Sequence, residues 1–251
     1  MIITDPYFYL IAVPVVLLTG ISKTGIPGFL GGLGVPLLSL VIPPLQAVAV
    51  MLPILCFIDL FGLRAFWGVY DRRNLPILLI GLLIGVVVGT LIFGLVRQDV
   101  LRMVIGAIAI VFGLNNLVGW ATNRPPTKTS WSRGVFWSSV SGLTSFLAHA
   151  GAAPIMAYLL PLRLDKRAYI GTTVWFFLAS NYAKIIPYPF LGQLDTSNFV
   201  TALVLLPLVP IGVTLGVLIQ GKLNERVFYQ ISYWALLSIA VKLVYDGMTR
   251  L

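Results

Sequence analysis

A series of apolar runs long enough to cross a lipid bilayer constrains this chain more than any other feature of its sequence. A helix needs about 20 apolar residues in a row to span a hydrocarbon layer about 30 Å thick. Five runs reach roughly that length: Leu45–Leu63, Leu75–Val96, Val100–Ala121, Phe199–Ile219 and Val227–Tyr245. A sixth, Ala168–Ile186, has the length but contains Asn181 and Lys184. The chain is therefore predicted to be an all-α integral membrane protein.

The composition also indicates a lipid environment. Of the 251 residues, 59% are hydrophobic and 10% are charged, whereas a soluble domain carries about 25% charged residues. The net charge of +9 does not indicate nucleic-acid binding, because the Lys and Arg residues lie mostly in short gaps between apolar runs. HExxH, G-x-S-x-G and Walker motifs are absent, and one His with one Cys cannot build a metal site. We therefore expect a protein that is not an enzyme, binds no cofactor or metal, and transports by a secondary or passive route.

Four further apolar runs are shorter and occur in two adjacent pairs. The first pair is Tyr7–Ile21 and Phe29–Ile42, and the second is Val135–Ala148 and Ala152–Leu162. A break rich in Gly, Ser or Thr divides each pair, at residues 22–28 and 149–151, the second preceded by Ser and Thr residues in 141–145. Such pairs are typical of helical hairpins that enter the bilayer and return, or of short crossings.

The two pairs begin two similar halves of the chain. Residues 34–37 match residues 152–155, and Pro43 matches Pro161. Later, Gly85-x3-Gly89-x4-Gly94 matches Gly212-x3-Gly216-x4-Gly221. The common order and similar spacing predict an internal repeat, and glycines spaced in this way predict close helix packing.

The distribution of positive charge indicates how the halves are oriented. If each short pair is a hairpin or two crossings, one side of the membrane holds residues 64–73, 122–133, 163–167 and 221–226, with eleven Lys or Arg, and the other side holds three. If each pair is one long crossing, the sides hold seven each. The excess of Lys and Arg on the cytoplasmic side of membrane proteins favours the first alternative. It predicts two inverted repeats, 1–121 and 134–251, each with a short helix pair and three full transmembrane helices. A cytoplasmic linker, 122–133, joins them, and both termini lie outside.

The ionisable residues inside the apolar runs and their breaks are candidates for function, because charge in hydrocarbon is costly. Lys23 and His149 lie in the two breaks. In inverted-repeat transporters, the helix N-termini and hydroxyl groups at such breaks lie around the substrate. Lys184 shares a helix face with Asn181, one turn earlier. We expect these four residues to bind an anion. The alternatives are that the lysines extend to a membrane interface and that His149 is a hydrogen-bonded core residue.

Three threonines and one acidic residue complete the candidate set. Thr24 in the first break, and Thr172 and Thr173 after Gly171, are predicted to donate hydroxyl groups to the anion. The alternative for Thr172 and Thr173 is a hydrogen bond back to their own helix. Asp59 is expected to pair with a basic residue such as Arg64, in a structural or coupling role.

The chain resembles the TauE/SafE family of sulfite and organosulfonate exporters in two motifs. These are the glycine-rich segment 25–36 and the run Lys166-Arg167-Ala168-Tyr169-Ile170-Gly171-Thr172-Thr173, which is similar to the family's K-x-A-x-G-T-S. The likeness covers about residues 8–245, but His149-Ala150-Gly151-Ala152 departs from the usual G-x-G-G form. The resemblance implies export of sulfite, sulfoacetate or a similar small anion across the bacterial inner membrane, coupled to a proton, another ion or the membrane potential. The resemblance is compatible with a homodimer as well as with a monomer.

Two other functions are compatible with the sequence. One is transport of another carboxylate or inorganic anion, including its uptake. The other is a membrane scaffold without transport, which polar residues confined to the ends of the crossings would favour. Lys23, His149 and Lys184 lie within the runs and their breaks and argue against a scaffold.

Overall fold

The computed structural model describes residues 5–26, 34–38, 40–93, 125–191 and 196–249, together with a few isolated positions. Regular structure in these residues is helical throughout. The predicted crossing Val100–Ala121 lies almost entirely outside the described residues, as do residues 27–33 of the first glycine-rich segment.

Eleven α-helices are described. They are α1 (Pro6–Thr24), α2 (Gly34–Leu38), α3 (Pro44–Ala65), α4 (Asn74–Leu91), α5 (Trp131–Ala148), α6 (Ala152–Leu159), α7 (Lys166–Ile185), α8 (Pro187–Phe190), α9 (Thr196–Leu205), α10 (Leu208–Lys222) and α11 (Glu225–Met248). A 3-10 turn, Leu160–Leu162, extends α6.

Three of the described helices are long and apolar enough to cross a membrane: α1, α3 from Gln46 onward, and α4. Helices α9 and α10 together make a fourth candidate, but they meet at an angle of 51°. The predicted crossing at Phe199–Ile219 is therefore a bent pair of helices and not one continuous helix. The bend coincides with Pro207, which has no backbone N–H to continue the helical hydrogen bonds.

Helix α1 corrects the prediction that Tyr7–Ile21 is too short to cross. The helix continues through Ser22, Lys23 and Thr24 to a length of 19 residues. The Thr24 hydroxyl donates to the Gly20 carbonyl at 3.0 Å, so this polar group is satisfied within the helix and does not end it. The helix break begins at Gly25, and Lys23 belongs to the last turn of α1. Of the other short runs, α5 is also longer than predicted, at 18 residues, whereas the short apolar helix Ala152–Leu162 is confirmed.

The predicted role of the glycines in close packing is confirmed on two helix pairs. A Cβ added to Gly85 of α4 would lie 2.1 Å from the Ser139 carbonyl oxygen of α5. A Cβ added to Gly216 of α10 would lie 2.2 Å from the Thr24 hydroxyl of α1. The α4–α5 and α1–α10 contacts are both extensive. In each of them, the helix of one half that carries the spaced glycines packs on the first long helix of the other half. Gly221 differs, since a Cβ there would meet nothing within 4 Å.

Hydrogen bonds join residues in or near the four positively charged segments, and the bond from Lys166 to Leu223 joins two of these segments directly. The backbone N–H of Asp71 donates to the Thr172 hydroxyl at 2.8 Å, and the Asn74 amide donates to Thr129 at 3.1 Å. The linker is tied to the end of α6 by the bond from the Thr127 N–H to the Pro161 carbonyl, at 2.9 Å. The Lys166 ammonium donates two further hydrogen bonds, to the carbonyls of Gln220 and Leu223 at the end of α10.

Candidate functional site

A cavity lies where the two helix breaks meet. Its walls come from α1, α2, α3, α5, α6 and α7: Ser22, Lys23, Gly34, Val35, Met51, Leu55, Asp59, Ser145, His149, Ala152, Thr173, Val174, Phe177 and Asn181. Gly34 and Ala152, which occupy equivalent positions in the predicted repeat, are the first residues of α2 and α6 and both line it. Its volume is about 60 Å³. A cavity of this volume has room for several water molecules or a small anion.

Lys23 and Asp59 form an ion pair inside this cavity. The Asp59 side chain is fully buried, whereas 15% of the Lys23 side chain is exposed. The other carboxylate oxygen, Oδ2, accepts a hydrogen bond from the Asn181 amide at 2.6 Å. The Lys23 ammonium also lies 5.3 Å from the centre of the Phe177 ring, within cation–π range. Both Asp59 oxygens are thus engaged, one by a cation and one by an amide.

The expected pairing of Asp59 with Arg64 is not found. Five residues along a helix correspond to a rotation of about 140° between the two side chains, so they leave α3 on different faces. Arg64 is exposed, while Asp59 faces the cavity together with Met51 and Leu55, which precede it at four-residue spacing.

Lys184 lies fully buried beside the cavity and does not line it. Its ammonium nitrogen is 2.7 Å from the Ser145 hydroxyl, 3.1 Å from the Asn181 side-chain oxygen and 3.2 Å from Nδ1 of His149. Three neutral groups thus surround its charge, and each of them also lines the cavity. Asn181 connects Lys184 to Asp59, because its oxygen faces the lysine and its amide nitrogen faces the carboxylate.

His149 ends α5 in a left-handed backbone conformation, with φ of 50°. Glycine is the usual residue there, because a side chain costs about 1–2 kcal/mol in this region. Its imidazole faces Lys184 on one side, while Nε2 is buried with no hydrogen-bond partner among the described residues; the Val48 carbonyl also faces the ring. An ammonium group can only donate, so with Lys184 charged Nδ1 accepts and Nε2 carries the ring proton. In that state the site holds a buried N–H donor that makes no close hydrogen bond among the described residues and has the Val48 carbonyl near its ring.

The three candidate threonines lie in three different environments. Thr173 lines the cavity, but its hydroxyl donates to the Ile170 carbonyl at 2.7 Å. The Thr172 hydroxyl donates to the Ala168 carbonyl at 2.7 Å and accepts from the Asp71 N–H, so it joins α7 to the loop before α4. Thr24 contacts α10, where its hydroxyl lies 3.0 Å from the Val213 carbonyl. Only Thr173 of the three borders the cavity.

Sequence reasoning passed over several polar or aromatic residues of this site. Ser145 contacts both Lys184 and Ser180, the latter at 3.1 Å between hydroxyl oxygens. Phe177 lies four residues before Asn181, so the helical spacing already placed both on one face of α7. Ser145 belongs to the Ser- and Thr-containing stretch before the second break, but its contact with Lys184 depends on the approach of α5 to α7.

Comparison with known families gives one match. The family described as Sulfite exporter TauE/SafE matches residues 12–243 of the chain. Searches of curated proteins and of solved structures gave no match.

Proposed function

Because this chain belongs to the TauE/SafE family of sulfite exporters, a family of membrane transporters, we propose that it exports a small sulfur-containing oxyanion by secondary transport. We place the substrate in the cavity between the two helix breaks. The observation that carries this proposal is that Lys23 and His149 line one cavity, with the buried Lys184 directly behind His149.

The charges around the cavity favour an anion. With both lysines charged, the cluster has two positive groups and one negative group, Asp59. An anion that leaves water must regain hydrogen bonds and an opposite charge. Lys23 supplies the charge at the cavity wall, and His149 supplies a free N–H. The N-terminus of α6 at Ala152 adds partial positive charge.

The size of the cavity favours sulfite within the substrate class. Sulfite has one sulfur and three oxygens, which suits a cavity of about 60 Å³. Sulfoacetate adds a methylene and a carboxylate group and needs more room. We therefore rank sulfite and hydrogen sulfite above the organosulfonates.

We also propose two inverted repeats, 1–121 and 134–251, with the linker 122–133 on the cytoplasmic side of a bacterial inner membrane. The packing of α4 on α5 corresponds to that of α10 on α1 with the two halves of the chain exchanged, and this supports a symmetric relation between the halves. The hydrogen bond from Lys166 to Leu223 joins two of the positively charged segments, and further bonds lie near the other two; this proximity is compatible with one membrane side for all four. Under the positive-inside rule that side is the cytoplasm, which places both termini outside.

Ligand-dependent thermal stabilisation of the purified protein tests the substrate class. The panel consists of sulfite, sulfoacetate, taurine, sulfate and acetate, each at the same concentration and ionic strength. Sulfite should raise the midpoint of unfolding most, because a ligand that binds only the folded protein stabilises it by mass action. Taurine, which carries no net charge, is the control for the sulfonate group alone.

Other outcomes would redirect the proposal. Stabilisation by acetate or sulfate but not by sulfite would assign another anion to the site. No stabilisation by any anion at concentrations up to tens of millimolar would favour the membrane scaffold.

A further inference from the structure

Lys23, the cation best placed to meet a substrate, already has an anionic partner within the protein. Lys23 is bound to the carboxylate of Asp59, which lies 36 positions later on a different helix. A carboxylate carries the same charge and the same kind of oxygen atoms as a small oxyanion. Any anion that reaches the Lys23 ammonium must therefore compete with Asp59 or share the ammonium with it.

Resting on the proposed function, we infer that Asp59 is an internal anion that the substrate displaces from Lys23 and that then binds the coupling proton. In this step the Lys23–Asp59 ion pair opens, an ion pair between Lys23 and the substrate forms, and one proton from water binds the Asp59 carboxylate. With a singly charged anion such as hydrogen sulfite, the total charge of the cavity does not change.

The proton goes to Asp59 because of what surrounds it. Once Lys23 turns to the substrate, the fully buried carboxylate keeps only the Asn181 amide, and an isolated buried charge is far more costly than a neutral acid. The charged or titratable groups that face it in the described residues are Lys23 on α1, Cys56 on α3, and Tyr182 and Lys184 on α7. His149 on α5 is a poorer site for the proton, since its Nδ1 already faces the Lys184 ammonium at 3.2 Å.

This coupling has a consequence for the driving force. A singly charged anion that travels with one proton carries no net charge across the membrane. Its distribution then depends on the gradients of anion and proton and not on voltage. In this step Lys23 always has an anion beside it, and Asp59 is either paired with Lys23 or protonated.

The test compares sulfite affinity in the wild type and in Asp59→Asn from pH 5 to pH 8 by titration calorimetry. Sulfite itself gains and loses a proton in this range. The ratio of the two dissociation constants at each pH cancels the part of this titration that both proteins share. Asparagine keeps the size and the acceptor for Asn181 but cannot compete as an anion or bind a proton.

We expect Asp59→Asn to bind sulfite more tightly than the wild type. The dissociation constant of the wild type divided by that of the variant should rise with pH. Where Asp59 is ionised in the empty protein and protonated in the complex, wild-type affinity falls tenfold per pH unit relative to the variant. At low pH, Asp59 is protonated in both states and the ratio approaches one. Asp165→Asn, which removes a carboxylate at the N-cap of α7 outside the cavity, should behave as the wild type at every pH.

Three results separate the possible failures. If the wild type and Asp59→Asn both fail to bind sulfite, the proposed function fails. If both bind it with a ratio of one throughout, the anion does not compete with Asp59 and this inference is overturned while the function stands. A ratio above one that does not change with pH would mean displacement without protonation, and would refute the coupling.

Discussion

Asn181 donates a hydrogen bond to Asp59 at 2.6 Å while its own carbonyl oxygen receives one from Lys184 at 3.1 Å. One amide thereby joins a buried carboxylate to a buried ammonium. The orientation of the amide is set by its two neighbours, since only its nitrogen can donate and only its oxygen can accept. Substitution at any of the three positions changes the hydrogen bonding of the other two.

The Lys23–Asp59 pair should show the energetics of a buried ion pair. Lys23→Met should lower the free energy of unfolding by about 3–5 kcal/mol, because it leaves a fully buried carboxylate without a cation. Asp59→Asn should cost less, since the Lys23 side chain is 15% exposed and can extend its charge toward water. Denaturation of the purified protein in detergent measures both.

The double variant Lys23→Met/Asp59→Asn is the matched control for this pair. It removes both charges and should recover most of the stability that Lys23→Met loses. A double variant as unstable as the single one would mean that Lys23 stabilises the protein through packing, not through its charge.

The glycine contacts should be sensitive to a single methyl group. Gly85→Ala should destabilise the protein by at least about 1–3 kcal/mol, the usual cost of overpacking, because the new Cβ would lie 2.1 Å from a backbone oxygen of α5. Gly221→Ala on α10 meets nothing within 4 Å. It should be neutral or stabilising by up to about 1 kcal/mol, the difference in helix propensity. Equal effects at both positions would contradict the packing described for α4 and α5.

His149 should separate backbone strain from ligand binding. His149→Gly relieves the left-handed conformation at φ of 50° and should keep or raise the thermal stability of the empty protein. It also removes the free Nε2 donor, so sulfite affinity should fall by about 1.5–3 kcal/mol, the range for hydrogen bonds to charged groups. Calorimetry and melting curves on the same preparation report both effects. Unchanged affinity would show that the imidazole serves only Lys184.

Cysteine labelling in intact cells should reveal the orientation. In a Cys56→Ala background, a cysteine at Thr127 should be protected from impermeant thiol reagents, and a cysteine at Phe190, 86% exposed, should react. Permeabilised cells provide the control that Thr127→Cys can react at all. Reaction of both positions from the same side would refute the inverted orientation of the halves. Gln193, also expected on the outer side, lies outside the described residues.

Hydropathy found α3 and α4, two of the three described helices that are long and apolar enough to cross, but missed the full length of α1 and the bend between α9 and α10. Ser22, Lys23 and Thr24 read as a break, yet α1 includes all three. The bend between α9 and α10 lies at Pro207, inside a run that hydropathy treats as continuous. The spacing of glycines along α4 and α10 predicted close packing correctly, because that spacing is a property of the helix itself.

The site was harder to predict, because its contacts join distant helices. The neighbouring positions of Asn181 and Lys184 followed from helical periodicity. The Lys23–Asp59 pair depends on how α1 approaches α3, and the Lys184–Ser145 bond on how α7 approaches α5. Periodicity along one helix contains no information about either approach.

Sulfite efflux from proteoliposomes tests the central claim most directly. Vesicles that contain the purified protein are loaded with radiolabelled sulfite, and its release is compared with that from protein-free vesicles and from vesicles with Lys23→Met/Asp59→Asn. The wild type should release sulfite faster than both, because the double variant lacks the cation that binds the anion at the cavity wall. Release by the wild type at the rate of protein-free vesicles, or equal release by the double variant, would contradict transport of sulfite through this site.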